Sequence, residues 1–328
     1  MRIRVSDISS QFESTSLFVC VASFEDRCRI IAENLNPEIE SVFIFGNIDY
    51  AEYISANSQA IKARFQRDVR MISIRTDDPL TVADKLRDEL VPAIKKSDGL
   101  CLIDVTTFTH EQLLILMRLL MDNCGGANIK FIYNHASSYS SNTEANNFWL
   151  SKGVSRIRAV LGYPGEMLPS KRSHLIVLAG YEYERAQKLI TRLEPSLISL
   201  GLGRKEEHDL NRTEYERNKL LNDQLELFVE GLSASITSVI RFEFSTSNPL
   251  TAKDEILEQC NRYSAYNVCV APMNTKLSTI GAGLAGASAH RIQLTYAQPI
   301  TYNVQGYSLP SDVCTVFDFS PYLRGYTE

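Results

Sequence analysis

Three short patterns occur twice in this chain, in the same order, and this constrains the fold more than any other feature. The first is an apolar run ending in a small residue, an aromatic, Glu and then Arg. It reads LFVCVASFEDRCRIIAENL at 17–35 and LIVLAGYEYERAQKLITRL at 175–193. The second is a strand-like run, an acid or amide, then Pro-Leu-Thr: ISIRTDDPLTVADKL at 72–86 and FEFSTSNPLTAKDEIL. The third is a late apolar run carrying two tyrosines six positions apart, IKFIYNHASSYS at 129–140 and RIQLTYAQPITYN at 291–303. The offsets are 157 (Glu25 to Glu182), 170 (Pro79 to Pro249) and 163 (Tyr133 to Tyr296), so the copies differ by loop-sized insertions. Between the second and third patterns each half has a buried-looking strand running into a helix, LCLIDVTTFTHEQLLILMRLLMDN and NVCVAPMNTKLSTIGAGLAGAS.

The reading is an α/β chain: a tandem duplication of a Rossmann-like three-layer unit with mostly parallel sheets, forming a pseudo-dimer. The copies cover roughly 14–150 and 172–308. A length of 328 residues suits two domains. The strands FVCVA, VFIFG, MISIR, LCLID and KFIYN are continuous apolar runs, as expected where both faces are covered. Alternating strand and helix patterns argue for a parallel sheet. Asp78 and Asn248 are N-caps, with Pro79 and Pro249 at the first helical position, where the missing N–H costs nothing. Thr109 and Gln112 have capping-box spacing, and the matching helix start lies near Asn274 and Thr275. Domain one then covers 1–161. A Gly- and Pro-rich linker follows at 162–173, after a helix containing Trp149, and domain two covers 174–328. Domain two holds an inserted charged helix at about 204–230 and a tail from 311, with one strand and a loose end.

Composition narrows the function classes. A net charge of −5 gives no general attraction to nucleic acid or anionic membrane, so nucleic acid is not expected as a direct ligand. No apolar run approaches the length of a membrane span, and the N-terminus lacks a secretory apolar core. The seven cysteines are scattered without a CxxC, which fits buried reduced thiols in a cytoplasmic protein and no metal site. There is no GxGxxG after either first strand, no GxxxxGK[ST], no GxSxG and no HExxH, so no cofactor is expected. Gly281, Gly283 and Gly286 fall inside a helix pattern and read as close helix packing.

Ligands of open parallel sheets bind at the carboxyl ends of the strands. In the first half these ends supply Ser23, Phe24, Glu25 and Arg27, then Asp104, Thr106 and Thr107, then Tyr133 and Tyr139. In the second they supply Tyr181, Glu182 and Arg185, then Asn274, Thr275 and Lys276, then Tyr296 and Tyr302. Arg27 and Arg185 either pair with Glu25 and Glu182 or grip a phosphate or carboxylate. Asn274-Thr275-Lys276 at a helix start is the best phosphate contact. Asp104 and Glu25 are the acid/base candidates, but Asp104 has Ala271 as its counterpart, which argues against two equivalent active sites. The tyrosine pairs either stack a base or close a sheet edge.

In general plan such a chain is similar to the nucleotide-sensing Rossmann-like domains of bacterial immune systems, the CARF and SLOG classes. The resemblance is one of architecture and implies sensing of a nucleotide or phosphorylated small molecule, with a setting in phage defence beside other protein subunits or in a homo-oligomer. Two other readings stay open. One is an assembly or adaptor subunit that docks through the charged helix and the aromatic tail (Phe317, Phe319, Tyr322, Tyr326). The other is a nucleotide or sugar-phosphate hydrolase or transferase using Asp104.

Overall fold

All five apolar runs of the first half are strands. In chain order that half holds β1 (Arg2–Arg4), α1 (Ile8–Gln11), β2 (Thr15–Ala22), α2 (Arg27–Asn34), β3 (Ser41–Asn47), α3 (Ala51–Arg64) and β4 (Asp68–Ile74). It continues with α4 (Pro79–Lys85), α5 (Val91–Lys96), β5 (Leu100–Asp104), α6 (His110–Asn123) and β6 (Asn128–Tyr139). The second half holds β7 (Ser151–Pro164), β8 (Ser173–Leu178), α7 (Tyr183–Leu193), β9 (Leu197–Gly203), α8 (Arg212–Gly231) and β10 (Ser238–Phe244). It ends with α9 (Pro249–Arg262), β11 (Asn267–Pro272), α10 (Lys276–Ser288), β12 (Ile292–Tyr302) and β13 (Ser308–Asp318). The structure, a computed structural model, describes residues 1–139, 149–205, 212–232 and 238–324. Tyr326 and the start of the expected charged helix, 206–211, lie outside the described residues.

The strands form two sheets, ordered β1-β13-β6-β5-β2-β3-β4 and β10-β9-β8-β11-β12-β7. In the first, β4, β3, β2, β5 and β6 are all parallel. In the second, β10, β9, β8, β11 and β12 are all parallel. Counted from the first apolar run of each half, both sheets have the order 3-2-1-4-5 of a doubly wound α/β fold. The chain is therefore mixed α/β, with two mostly parallel sheets flanked by helices.

The outermost strands depart from the expected division. Residues 151–161 belong by sequence to domain one and 162–164 to the linker, yet β7 pairs antiparallel with β12. Residues 308–318 belong by sequence to domain two, yet β13 pairs antiparallel with β6 and with β1. The compact units are accordingly Met1–Asn142 with Val304–Glu328, and Thr143–Asn303. The physical reason is edge pairing. β6 and β12 each need a neighbour for their free backbone groups, and each takes a strand from beyond the expected boundary. Trp149 precedes β7 and is not in a helix, and residues 162–164 are strand and not linker. The segment after β13 is likewise built in: Phe319 is fully buried and stacks on Phe131 at 4.4 Å, and Tyr322 stacks on Phe317 at 5.7 Å.

Local signals hold where they are local. Asp78 accepts the Thr81 amide, Asn248 accepts those of Leu250 and Thr251, and Thr109 and Gln112 form the capping box. Thr275 caps α10 through the Ser278 amide. The MISIR run differs from expectation because β4 is an edge strand, and Met71 is 43% exposed. One core of the first unit gathers Phe18, Ile31, Ile44, Leu102 and Ile132. One core of the second gathers Leu175, Val177, Leu189, Ile198 and Leu225. All seven cysteines are free and buried. Among the described residues no helix is long and apolar enough to cross a membrane.

Candidate functional site

At the carboxyl end of β2 the chain turns through Ser23 to Asp26 into α2. Glu25 Oε2 accepts hydrogen bonds from Arg27 Nη2 (2.7 Å), Arg27 Nε (3.0 Å) and Ser308 Oγ (2.5 Å). Arg27 Nη1 donates to the carbonyl of Asn134 on β6 at 3.1 Å, and the guanidinium lies over the rings of Tyr133 and Tyr139. Burial pushes the Tyr139 hydroxyl well above the usual tyrosine range, reinforced by its neighbour Tyr133. Phe24 packs against Tyr50 and Tyr307.

The second unit repeats this arrangement at the end of β8. Ser151 Oγ donates to Glu182 Oε2 at 2.5 Å, and Arg185 Nη1 lies 3.3 Å from Glu182 Oε1. Arg185 donates through Nε (2.9 Å) and Nη2 to the carbonyl of Ala297 on β12, and sits over the Tyr296 ring. The Tyr296 and Tyr302 hydroxyls meet at 3.5 Å. So Glu25, Arg27, Tyr133 and Tyr139 come together in one unit, and Glu182, Arg185, Tyr296 and Tyr302 in the other. Both arginines are nearly fully buried and ion-paired, and each pair is tied to a serine that opens the antiparallel strand. A charge removed from water needs both a counter-charge and hydrogen bonds to its remaining donors, and each arginine has them.

Asp104 is 1% exposed. Its Oδ1 accepts the Thr106 amide at 2.9 Å, and Oδ2 has no hydrogen-bond partner. Burial pushes this carboxyl up to about 7, while hydrogen bonds from Thr106 and the charge of Arg27 pull it down. Thr106 Oγ1 accepts the Asn134 amide, and Thr107 Oγ1 donates to the Val21 carbonyl, so both threonines bind neighbouring strands together. His135 on β6 hydrogen-bonds Thr315 and is pushed down to about 4 by burial and by Arg2 and Arg27. Asn274 donates to the Ala179 carbonyl and Thr275 to that of Thr246, so these two side chains fasten the start of α10, where Lys276 is half-buried. Ser23 works as a turn former: its hydroxyl accepts the Glu25 amide and its carbonyl the Asn57 side chain.

The second unit also has an open cavity of about 480 Å³ beside Glu182, inside the size range of small-molecule sites. Trp149, Tyr181 and Tyr183 supply aromatic surface. Lys152 and Arg217 supply positive charge, and Glu182 and Glu184 negative charge. The turn after β8 can approach this closely because residue 180 is glycine: a Cβ there would sit 2.3 Å from the Met273 carbonyl oxygen. Of the residues expected from sequence, Tyr181 and Glu182 line this cavity. Trp149, Ser151, Lys152 and Arg217 were missed. They stand on β7, just before it, or on α8, and none of them falls inside the three repeated patterns.

Among the described residues no group of three or more His, Cys, Asp or Glu is placed to hold a metal ion. No protein-family model matches the chain, and no curated protein is similar to it in sequence.

Proposed function

We propose that this chain is a ligand-binding, regulatory protein that senses a nucleotide or another phosphorylated small molecule at the carboxyl end of β8. In this reading the two units are tandem copies of one Rossmann-like module. The observation that carries the reading is the cavity beside Glu182. It lies at the place where doubly wound sheets take ligands, and it brings aromatic rings and cationic side chains together. The shared strand order and the matching Glu–Arg–Ser–Tyr clusters support the duplication. The nucleotide-sensing domains of bacterial immune systems share the plan, so anti-phage defence beside other subunits is the setting this reading implies. Asp104 has no part in it: a catalytic acid must touch substrate, and this one lies inside the protein.

The chain contains a single tryptophan, and it lines the cavity. Titration with nucleotides and sugar phosphates should therefore change intrinsic fluorescence saturably. The same ligands should raise the melting temperature, since a ligand at 100 times its Kd stabilises by about 2.7 kcal/mol. Silence of both signals across the panel would remove the reading.

A further inference from the structure

We infer that the outward face of α8 docks a partner protein through a basic amphipathic helix, one that lays apolar side chains on Leu220 and Leu227 and cations beside them. This goes beyond the ligand-binding function proposed above and does not rest on it. Helical periodicity divides α8 into two faces. Asn218, Asn222, Leu225 and Val229 are buried, and Leu225 and Val229 belong to the core of the second unit. The opposite face carries Leu220 and Leu227, two turns apart, which are 58% and 68% exposed. One exposed leucine needs no explanation, but two in line on one helix make an apolar stripe of the kind a second helix covers. The stripe starts at the rim of the cavity, which Leu220 also lines.

Charge sets the chemistry of the partner. Beside the leucines runs a row of carboxylates with the same spacing, Glu216, Asp223 and Glu230. The neighbouring cations are already engaged. Lys219 Nζ lies 3.5 Å from Asp223 Oδ2, Arg241 pairs with Glu226, and Arg217, at the cavity, is engaged as well. Glu216 and Glu230 make no ion pair among the described residues. They stand 14 positions apart, which is about 21 Å along a helix. A partner helix that covers the leucines therefore gains by presenting Lys or Arg at about that separation along its own edge.

The same row argues against a second copy of this chain. Antiparallel pairing that sets Leu220 against Leu227 of the second copy also sets Glu216 against Glu230 and Asp223 against Asp223. Like charges brought together in this way destabilise a helix pair. Parallel pairing meets the carboxylates with Leu221 and Phe228, which offer them no cation. Anionic membranes and nucleic acids are repelled by the same carboxylates.

The test uses two fluorescein-labelled synthetic peptides and the full-length protein. Each peptide repeats a heptad with leucine at positions a and d, and positions e and g are lysine in one and glutamate in the other. Like charges keep each peptide from pairing with itself. Fluorescence anisotropy is read at about 0.15 M salt, where the Debye length of about 8 Å screens diffuse attraction. The lysine peptide should bind saturably, and the glutamate peptide about tenfold or more weaker. Leu220→Ser with Leu227→Ser should weaken the lysine peptide about tenfold. Glu216→Lys with Glu230→Lys should move the preference toward the glutamate peptide. This second variant removes no packing, so it decides the matter even if the serine variant fails to fold. Absence of saturable binding by the lysine peptide, unchanged binding in a folded serine variant, or an unchanged preference in the lysine variant would each overturn the inference. A dimer in light scattering that the serine variant splits would also overturn it, by giving this face to a second copy.

Discussion

Asp104 shows how a residue's chemistry is decided by its surroundings. As a strand-end acid it is visible in the sequence, but its depth is not. Its folded-state value of about 7 lies above its ordinary value of 3.8, mainly because burial disfavours the charge. The sign follows from linkage. The folded state keeps a proton that the unfolded chain releases, so the stabilising contribution is full below pH about 4 and is lost as pH rises through about 7. Nearby Cys20 and Cys28 feel the same burial, and the Cys28 thiol is pushed up to about 12. We expect Asp104→Asn to gain on the wild type as pH rises, read from urea midpoints at about pH 4.5 and about pH 8. A difference that does not change with pH would mean another group titrates. The two arginines teach the complementary lesson. From sequence, ion pair and anion clamp are equal options. The structure pairs both with Glu, because each guanidinium is out of water and has a carboxylate and a carbonyl within reach.

Element-scale features divide by the range of the interaction that sets them. The caps at Asp78, Thr109, Asn248 and Thr275 were legible because donor and acceptor are two or three residues apart. The glycines of α10 were legible in kind, and the structure supplies the reason. At Gly281 a Cβ would lie 2.7 Å from the Pro249 carbonyl oxygen and 2.8 Å from Ala252 Cβ, so α10 presses on α9. Gly→Ala inside a helix ordinarily gains up to about 1 kcal/mol. Here overpacking opposes it at about 1–3 kcal/mol, so Gly281→Ala should lower the melting temperature. Gly231→Ala, with nothing within 4 Å of the new methyl, should be neutral or stabilising. A rise in melting temperature for Gly281→Ala would show that the two helices can separate freely.

At the scale of the molecule, the first unit is not one continuous stretch of chain, whereas the second, Thr143–Asn303, is. β13 supplies the first unit with Ser308 for Glu25, the antiparallel partner of β6, and Cys314 and Val316 for its core. A chain ending at Asn303 should therefore lose amide-exchange protection in β6 and β5 while β8 and β11 keep theirs. A synthetic peptide covering 304–324, added in trans, should restore it. Full protection of β6 without the peptide would mean that β13 is dispensable to that unit.

The sequence by itself determined the class of fold, the places of the central strands, the caps and the residues at the strand ends. Each of these depends on periodicity or on neighbours within one turn, and that information is written locally. Tertiary structure alone decided which half each outer strand joins, that Arg27 and Arg185 are ion-paired, that Asp104 is inside, and that Trp149, Lys152 and Arg217 share a cavity with Tyr181. These outcomes depend on partners far apart in the chain, as Ser308 is 283 positions from Glu25, and no local pattern encodes such a pairing.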